Sequence, residues 1–394
     1  WLSVDRRKNV SGADLDLVYH WANLPSFPPP WSDAAYDIWE PYFVSDQVGF
    51  LLFRYRGGSP NRTELWRTTN GGGAWSKIGD WTDGETVSIP DITGRSLLFA
   101  DANHGVVTAR TSGSATAPYT GYVPVGLLRT AVGGATWTTV DLPNATGANG
   151  LVSVQNYARI DAARWIACGS ENVGSYMGSG TPGIFSIWES ADAGASWSLR
   201  RSWNEDYAGC SAVDANAAGR AILFSTPYAF GGARHLELRD PSGTWTQQPA
   251  NDLVTNSGYG TADVPMVGDT AWVHAQRFDS GYGVLDNATF RSDDAGATWT
   301  RLSDALLQYL DFATPQKGLA LAGGPAYSSY DGGATWYYQS AGGGLCCHGD
   351  FIWAFSETRA IWRDNGVGDP NGLSDVFRYV EPPDPSFEVL PGAG

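Results

Sequence analysis

The octapeptide SADAGASW at residues 190–197 determines how this chain is interpreted, because four other segments repeat its pattern. These four copies are TTNGGGAW at 68–75, TAVGGATW at 130–137, SDDAGATW at 292–299 and SYDGGATW at 329–336. A shortened copy, DPSGTW, ends at Trp245. Repeats spaced by tens of residues are typical of folds that use one supersecondary unit several times. The sequence therefore predicts a repeat architecture.

Each copy has the composition of a hairpin turn. An aspartate such as Asp192 can accept hydrogen bonds from backbone amides, and a glycine such as Gly194 can adopt a positive φ. A tryptophan such as Trp197 supplies a large ring that can pack between neighbouring sheets. We therefore interpret the repeats as structural scaffold and not as catalytic residues.

The pattern resembles the Asp-box, Ser/Thr-x-Asp-x-Gly-x-Thr-Trp, which is found in the Asp-box (BNR-repeat) β-propeller family. Two copies depart from it, because Asn70 and Val132 stand where the family carries aspartate. The resemblance implies an all-β fold, a seven-bladed β-propeller with Asp-box hairpins and four antiparallel strands per blade.

The segments between the boxes supply the remaining strands of each blade. An apolar strand, a short polar turn and a second apolar strand precede most boxes, as in FVSDQVGFLLF at 43–53. The predicted blades cover residues 43–83, 96–141, 153–203, 210–249, 262–302, 309–340 and 344–380. Residues 1–380 then form a single propeller domain, which an N-terminal strand within residues 3–19 closes. Residues 381–394 form a C-terminal tail.

Charge and composition limit the partners. The formal net charge of −16 repels nucleic acid and anionic membrane surfaces. No apolar stretch approaches the roughly 20 residues that span a bilayer. Of the 25 basic residues only Lys8, Lys77 and Lys317 are lysines. Because the arginine fork binds carboxylates at two points, this bias predicts an acidic ligand, while a general preference for arginine on the surface is the simpler alternative.

The cysteines and glycosylation sequons indicate export. Four cysteines allow three disulfide connectivities, of which we favour Cys168–Cys210 with Cys346–Cys347. Four Asn-x-Ser/Thr sequons begin at Asn9, Asn61, Asn144 and Asn287. The chain opens at Trp1 without methionine, which is consistent with a removed signal peptide. The sequence therefore predicts a secreted, extracellular protein.

The long loops of the predicted propeller gather at one rim, and we expect the site there. This long-loop rim holds the blade-to-blade connections and the loops between the second and third strands, whereas the boxes occupy the opposite box rim. Aromatic rings and arginines in these loops can hold sugars by stacking and paired hydrogen bonds, although about half of the aromatics are expected to pack between blades. The predicted substrate-binding residues are Trp21, Arg54, Tyr122, Arg159, Tyr207, Arg234 and Arg277.

Histidines are the first candidates for proton transfer, since histidine titrates near neutral pH. His274 ranks first, because it lies on the second strand of the predicted fifth blade, two residues before a long loop. His235 and His20 follow, and Tyr282 is the candidate acid.

A polysaccharide lyase is the preferred function. Cleavage beside a uronic acid by β-elimination needs a group that neutralises the carboxylate, a base for the C5 proton and an acid for O4. The chain resembles secreted fungal Asp-box propellers, among them L-rhamnose-α-1,4-D-glucuronate lyases that release rhamnose from plant gums. This resemblance implies a monomer that acts on an acidic plant-type polysaccharide without a required cofactor. Whether a calcium ion is bound is left open.

Two other classes of function remain open. A glycoside hydrolase would use two carboxylates on the long-loop rim, whose candidates are Asp83, Glu85, Glu171, Glu205, Asp206 and Asp279. A non-enzymatic propeller that binds sugar or protein is the second alternative. A sialidase is disfavoured, because Ser88-Ile89-Pro90 stands where that family has Arg-Ile-Pro. Loops of unequal length favour one asymmetric site, and therefore an enzyme over a multivalent binder.

Overall fold

The computed structural model describes twenty-one stretches of the chain. They are residues 4–8, 14–20, 36–45, 47–55, 62–71, 74–82, 87–88, 97–111, 123–143, 152–171, 183–205, 208–227, 235–249, 264–278, 284–303, 307, 309–321, 326–340, 349–356, 359–364 and 375–380. Every regular element within these stretches is a β-strand.

The described strands form antiparallel sheets, which we number in chain order. The strands that precede sheet 1 are β1 (Val4–Lys8) and β2 (Asp14–His20). Sheet 1 contains β3 (Tyr36–Phe43), β4 (Gly49–Tyr55), β5 (Arg62–Thr68) and β6 (Ser76–Thr82). Sheet 2 contains β7 (Val87–Ser88), β8 (Leu97–Phe99), β9 (Gly105–Thr111), β10 (Val123–Thr130) and β11 (Thr138–Val140). Sheet 3 contains β12 (Val152–Arg159), β13 (Trp165–Glu171), β14 (Gly183–Ser190) and β15 (Ser198–Glu205).

The second half of the chain continues the same arrangement. Sheet 4 contains β16 (Ala208–Ala215), β17 (Ala221–Pro227), β18 (His235–Arg239) and β19 (Trp245–Gln247). Sheet 5 contains β20 (Met266–Val267), β21 (Thr270–Phe278), β22 (Val284–Ser292) and β23 (Thr300–Ser303). Sheet 6 contains β24 (Tyr309–Phe312), β25 (Gly318–Leu321), β26 (Ala326–Ser329) and β27 (Tyr337–Ser340). Sheet 7 adds β28 (Gly349–Ser356), β29 (Arg359–Asp364) and β30 (Asp375–Val380) to β1 and β2.

Sheets 1, 3, 4, 5 and 6 have the predicted four strands, each paired with the next along the chain. Two sheets differ from the prediction. In sheet 2 the first strand is interrupted, so that β9 pairs with both β7 and β8. In sheet 7 the order is β1-β2-β30-β29-β28, with two N-terminal strands where the sequence predicted one. The pairing of His20 with Phe377 places residues from both ends of the chain in one sheet.

The core lies between the faces of neighbouring sheets. On β21, Ala271 and Val273 pack into a cluster with residues of sheet 4, whereas Trp272 packs on the other face. The Trp272 ring stacks on Phe312 of sheet 6 with centroids 3.7 Å apart. Because both faces of β21 are covered, the apolar residues Ala271, Trp272 and Val273 follow one another without polar alternation.

The box turns have the predicted geometry. In the turn at 190–197 the Asp192 carboxylate accepts hydrogen bonds from the Ser196 amide at 2.8 Å and the Ser196 hydroxyl at 2.6 Å. Ser190 Oγ accepts the Gly194 amide at 2.8 Å. Burial raises the pKa of the Asp192 carboxyl, but the hydrogen bonds from Ser196 and Ser190 outweigh it and hold that pKa below its ordinary value.

A second bond joins each box to the turn between the first and second strands of its own sheet. The donor is the amide of the fourth box residue, and the acceptor is a backbone carbonyl 2.7–2.9 Å away. The pairs are Gly71–Gln47, Gly133–Asn103, Ala193–Ala163, Ala295–Asp269 and Gly332–Gln316. The two hairpins at the box rim are therefore tied together in the same way in five sheets.

The glycine that follows serves both the turn and the packing. Gly134 has a φ of +88°, and a Cβ there would clash with Ile78 of sheet 1. Gly296 has a φ of +91° and would clash with Leu238 of sheet 4. Glycine is needed at both positions, because the turn requires positive φ and the preceding sheet leaves no room for a side chain.

Arginines immediately before three boxes join neighbouring sheets. Arg67 donates to the Gly133 carbonyl of sheet 2, and Arg129 Nε donates to the Ala193 carbonyl of sheet 3 at 2.8 Å. Arg291 Nη1 donates to Pro315 O of sheet 6 at 3.1 Å. At these positions the arginine bias of the sequence serves the scaffold, and binding of an acidic ligand is not needed to explain it.

Between sheets 3 and 4 the same position carries a buried ion pair. Glu189 replaces arginine before its box and accepts two hydrogen bonds from Arg239, at 2.6 and 3.1 Å. Trp245 Nε1 donates to the same carboxylate at 2.8 Å. Both charged side chains are 7% exposed. Breaking such a pair leaves a charge buried without its partner, which is costly.

Val132 offers a test of the box turn. It occupies the aspartate position and is 51% exposed, so replacing it removes no core packing. We expect Val132→Asp to accept the Thr136 amide and hydroxyl, as Asp192 does with Ser196, and to raise the free energy of unfolding by about 1 kcal/mol. Urea denaturation measures this, and Asp294→Val should show the opposite change. A loss of stability in Val132→Asp would contradict this account of the turn.

The Glu189–Arg239 pair gives a larger expected effect. Glu189→Gln leaves the Arg239 guanidinium buried without a carboxylate and should lower the free energy of unfolding by about 3 kcal/mol. Asp293→Asn is the matched control, because Asp293 is 67% exposed and pairs with Arg291 at the surface. That control should cost less than about 1 kcal/mol. Equal effects of the two variants in urea denaturation would refute the assignment.

Candidate functional site

The second strand of sheet 3 is joined covalently to the first strand of sheet 4. Cys168 of β13 and Cys210 of β16 form the predicted disulfide, with their Cα atoms 5.8 Å apart. The bond links the second strand of one sheet to the first strand of the next. The predicted partners Cys346 and Cys347 lie outside the described residues.

Two amide side chains reinforce this junction. Asn156 is buried on β12 and donates through Nδ2 to the Cys210 carbonyl at 2.6 Å and to the Ser211 carbonyl at 3.3 Å. Its neighbour Gln155 accepts the Cys210 amide through Oε1. The backbone around Cys210 is therefore held by a disulfide and three hydrogen bonds.

The backbone around Cys210 contains an irregularity that also occurs in the first strands of sheets 1 and 3. A register shift of one residue occurs at Trp39 in sheet 1, at Gln155 in sheet 3 and at Ser211 in sheet 4. Each shift lies four residues before the last residue of its strand. Such bulges bend a strand and redirect its side chains, and they are frequent beside active sites.

First strands of neighbouring sheets approach one another, as β12 and β16 do. In a propeller these strands surround the central channel. The bulged pair β12 and β16 therefore forms a rigid part of the inner edge. We take this edge and the adjoining long-loop rim of sheets 3 and 4 as the candidate site.

Two carboxylate residues end strands at that rim. Glu171 is the last residue of β13 and pairs with Val152 and Ile184, while Glu205 is the last residue of β15 and pairs with Gly183. They lie at the same end of sheet 3, two strands apart. The other four candidate carboxylates, Asp83, Glu85, Asp206 and Asp279, lie outside the described residues.

His235 lies at the long-loop rim, as predicted, but on the third strand of its sheet. It begins β18, and its Nδ1 lies 2.6 Å from Gln247 Nε2. Its ring contacts Trp203 of sheet 3 with centroids 5.6 Å apart, and Trp203 stacks on Phe185. The structure thus brings His235 and Trp203 together on the side of sheets 3 and 4 away from their first strands.

His274 does not lie in an open cleft. It is 5% exposed within β21, and neither ring nitrogen has a hydrogen-bond partner in the part of the chain that the structure describes. Burial lowers the pKa of His274 to about 4. A base that is shielded between two sheets cannot reach a substrate proton in this conformation, so the ranking of His274 first among the catalytic candidates is not supported by its geometry.

Arg159 lies at the other rim from the one predicted. It is the last residue of β12, beside the turn of the box rim, and its Nη1 donates to the Ala100 carbonyl of sheet 2 at 2.6 Å. The error arose because a strand end next to a turn looks the same in sequence at either rim. Its role in binding substrate remains untested, but its observed partner is backbone.

The remaining candidates are placed only in part. His20, Arg54, Arg277 and Asn287 lie in the paired strands β2, β4, β21 and β22, and their side chains are not described. Trp21, Tyr122, Tyr207, Arg234, Tyr282, Asn9, Asn61 and Asn144 lie outside the described residues. Their predicted roles stay predictions.

Sequence reasoning missed Gln155 and Asn156. The signal was present, because two adjacent amides stand between the apolar residue Val154 and the residues Tyr157 and Ala158 of a predicted inner strand. A buried amide must find hydrogen-bond partners, so a polar pair in a buried strand indicates a specific contact.

Known proteins resemble this chain in sequence or in fold. No family model matches the chain. A xyloglucanase from a Paenibacillus species is 24% identical over 267 residues, which is 64% of this chain and 19% of that protein. The chain therefore spans about a fifth of the length of the curated relative it matches.

Solved structures with the same fold include three kinds of protein. YCF48 bound to a D1 peptide has a TM-score of 0.56 at 17% identity and covers 88% of this chain and 94% of its own. The GH74 xyloglucanase of Xanthomonas campestris has a TM-score of 0.52 at 15% identity and covers 82% of this chain and 50% of its own. A prolyl endopeptidase has a TM-score of 0.55 at 13% identity and covers 92% of this chain and 54% of its own. Likeness at these identities shows the fold alone, a β-propeller.

The described residues contain no candidate metal cluster and no candidate membrane-spanning helix. No group of three or more His, Cys, Asp and Glu side chains there could hold a metal ion. No helix in the described part is long and apolar enough to cross a membrane.

The disulfide gives a prediction for this site. Replacing both Cys168 and Cys210 with serine removes a cross-link between residues 42 positions apart. We expect the free energy of unfolding to fall by about 3–4 kcal/mol, because the cross-link restricts the unfolded chain. Thr108→Val is the matched control: it removes only a hydrogen bond to Tyr157 between sheets 2 and 3 and should cost about 1 kcal/mol. Equal losses in urea denaturation would show that the cross-link adds nothing.

Proposed function

We propose that this protein is an extracellular enzyme that hydrolyses glycosidic bonds of a polysaccharide, with its substrate at the long-loop rim of sheets 3 and 4. The observation that carries this proposal is the sequence similarity to the Paenibacillus xyloglucanase over 267 residues. The disulfide supports an oxidising and therefore extracellular setting.

The chemistry of hydrolysis requires two carboxyl groups, one to protonate the leaving oxygen and one to activate water or attack the sugar. Glu171 and Glu205 end β13 and β15 at the same rim, with β14 between them. Two strand spacings put their backbones roughly 10 Å apart. A carboxyl separation of roughly 6.5–9.5 Å is typical of enzymes that invert the anomeric centre. The strand register, however, places Glu171 on the same face of sheet 3 as Ile184 and Asn204, and Glu205 on the opposite face. We therefore propose Glu171 and Glu205 as two separate candidates for proton transfer at this rim and assign no stereochemical outcome.

The described histidines favour hydrolysis over elimination. A lyase needs a base at the C5 proton of a uronic acid. His274 is buried between sheets, and His235 lies on a third strand beside Gln247. The rhamnose–glucuronate lyase expected from the sequence is not one of the relatives and solved structures named above, so we keep elimination as an outcome of the experiment.

The number of blades and the extent of the domain are part of the same proposal. We propose a closed ring of seven blades, because the described strands form seven sheets and β28 of the last approaches β3 of the first. Residues 1–380 would then form one propeller domain. A monomer, an acidic plant-type polysaccharide as substrate and activity without a required cofactor remain predictions, and the binding of calcium stays open.

The test is digestion of xyloglucan, gum arabic and other plant polysaccharides with the purified chain. Hydrolysis should release reducing sugar without new absorbance at about 235 nm, the signature of an unsaturated uronate formed by base-assisted elimination. Absorbance at that wavelength would establish a lyase and overturn the proposal. No reducing sugar from any substrate would favour a binding propeller.

Variants then test the residues. Glu171→Gln and Glu205→Gln should each lower turnover by roughly 100-fold or more, since each removes a proton-transfer group. Asp141→Asn, an exposed residue that follows β11, is the control and should leave turnover unchanged. The anomeric proton of the first product, followed by NMR, then determines whether the reaction retains or inverts the configuration. Full activity in both glutamine variants would refute both candidates.

A further inference from the structure

One position of the second strand faces the next sheet in chain order. The first residue of the box pairs with a residue of this second strand. The position lies three residues after that pairing residue. In sheet 2 this residue is Thr108, whose hydroxyl is 2.6 Å from Tyr157 Oη on the first strand of sheet 3. In sheet 3 it is Cys168, which is bonded to Cys210 on the first strand of sheet 4. The position therefore connects neighbouring sheets.

In sheet 5 the residue at this position is His274. Ala271 pairs with Ser292, the first residue of the box, and His274 follows three positions later. The face of β21 that carries His274 also carries Trp272, which stacks on Phe312 of sheet 6. His274 thus faces the first strand of sheet 6, as Cys168 faces that of sheet 4.

Among the described side chains, this face offers His274 no polar partner. Its pairing partner across the strands is Thr289, which is fully buried. Within the described residues, both ring nitrogens of His274 and Oγ1 of Thr289 lack a hydrogen-bond partner. A buried polar group without a partner costs free energy, and the cost is larger when the group is charged.

The neighbouring groups cannot stabilise a charged imidazole. The described sheet 6 side chains that pack with Trp272 on this face are apolar: Leu307, Leu310, Phe312 and Ala320. Asp311 alternates with Leu310 and Phe312, so it belongs to the opposite face of β24. On sheet 5 itself the described charged residue of this face is Arg291, which adds positive charge and is held by Asp293 and the Pro315 carbonyl. On the opposite face of β21 lie Val273 and Ala275, which are apolar.

We propose that the interface between sheets 5 and 6 is an acid-sensitive joint, in which protonation of His274 places a charge among apolar side chains and loosens the contact between the two sheets. The interface between sheets 3 and 4 stays closed, because the disulfide holds it. This conformational property is independent of the reaction that the protein catalyses.

The pH range follows from the pKa of His274, which burial lowers to about 4 from the ordinary value of 6.5. A histidine whose pKa is lowered in the folded state takes up its proton more readily when unfolded. Stability is therefore full at neutral pH and falls as the pH drops from 6.5 towards 4. The box aspartates have lowered pKa values and titrate below this range.

The first measurement is urea denaturation at pH 7 and pH 5, for the native chain and His274→Leu. Leucine occupies the equivalent position in sheets 1 and 6, at Leu52 and Leu321. The unfolding equilibrium constant of the native chain should rise roughly 20-fold between the two pH values because of His274. His274→Leu should lack this rise, while His104→Asn on the box rim should keep it. An equal acid response in His274→Leu would overturn the proposal.

Hydrogen exchange locates the opening. After correction for intrinsic rates, amides of β21 and β24 should lose protection at pH 5, while those of β13 and β16 keep theirs. Uniform loss across all sheets would overturn a local joint. If His274→Leu does not fold, His274→Gln provides a second residue that does not titrate, and it too should lose the acid response.

Discussion

The backbone hydrogen bond from the fourth box residue to the turn between the first two strands occurs in five sheets of this structure, and it fixes how the hairpins at the box rim are arranged. By tying Ala193 to Ala163, it holds the box hairpin and the neighbouring hairpin of one sheet at a common level. The next box residue is glycine, which lets the preceding sheet pack directly on the turn. Each box turn thus joins two hairpins of its own sheet and also packs against the preceding sheet.

The box repeats are similar from sheet to sheet, but the contacts between neighbouring sheets differ. Sheets 3 and 4 share a disulfide, the amides of Gln155 and Asn156, and the buried pair of Glu189 and Arg239. Sheets 5 and 6 share an aromatic stack and the bond from Arg291. His274 is buried beside them, and its ring nitrogens have no hydrogen-bond partner among the described residues. Interfaces between similar sheets are therefore held by different interactions in this structure.

This asymmetry bears on where chemistry can occur. A substrate site requires groups held in a fixed geometry, and the edge formed by β12 and β16 is the most firmly held part of the inner strands that the structure describes. Glu171 and Glu205 end strands of the adjoining sheet 3. His274 sits where the packing excludes substrate, although its sequence context resembles that of the other candidates.

The sequence by itself determined the elements that depend on local chemistry. The box turns and the strand order of sheets 1, 3, 4, 5 and 6 follow from residue types and spacing, because a turn needs glycine and a capping carboxylate wherever it occurs. The disulfide between Cys168 and Cys210 was the favoured one of three connectivities that the four cysteines allow. The tertiary structure alone decided which faces meet. His274 and Arg159 could be assigned to strands but not to their surroundings, since a strand has two faces and two ends that look alike in sequence. Burial of His274 and the backbone partner of Arg159 arise from the neighbouring sheets, which lie more than 25 residues away along the chain.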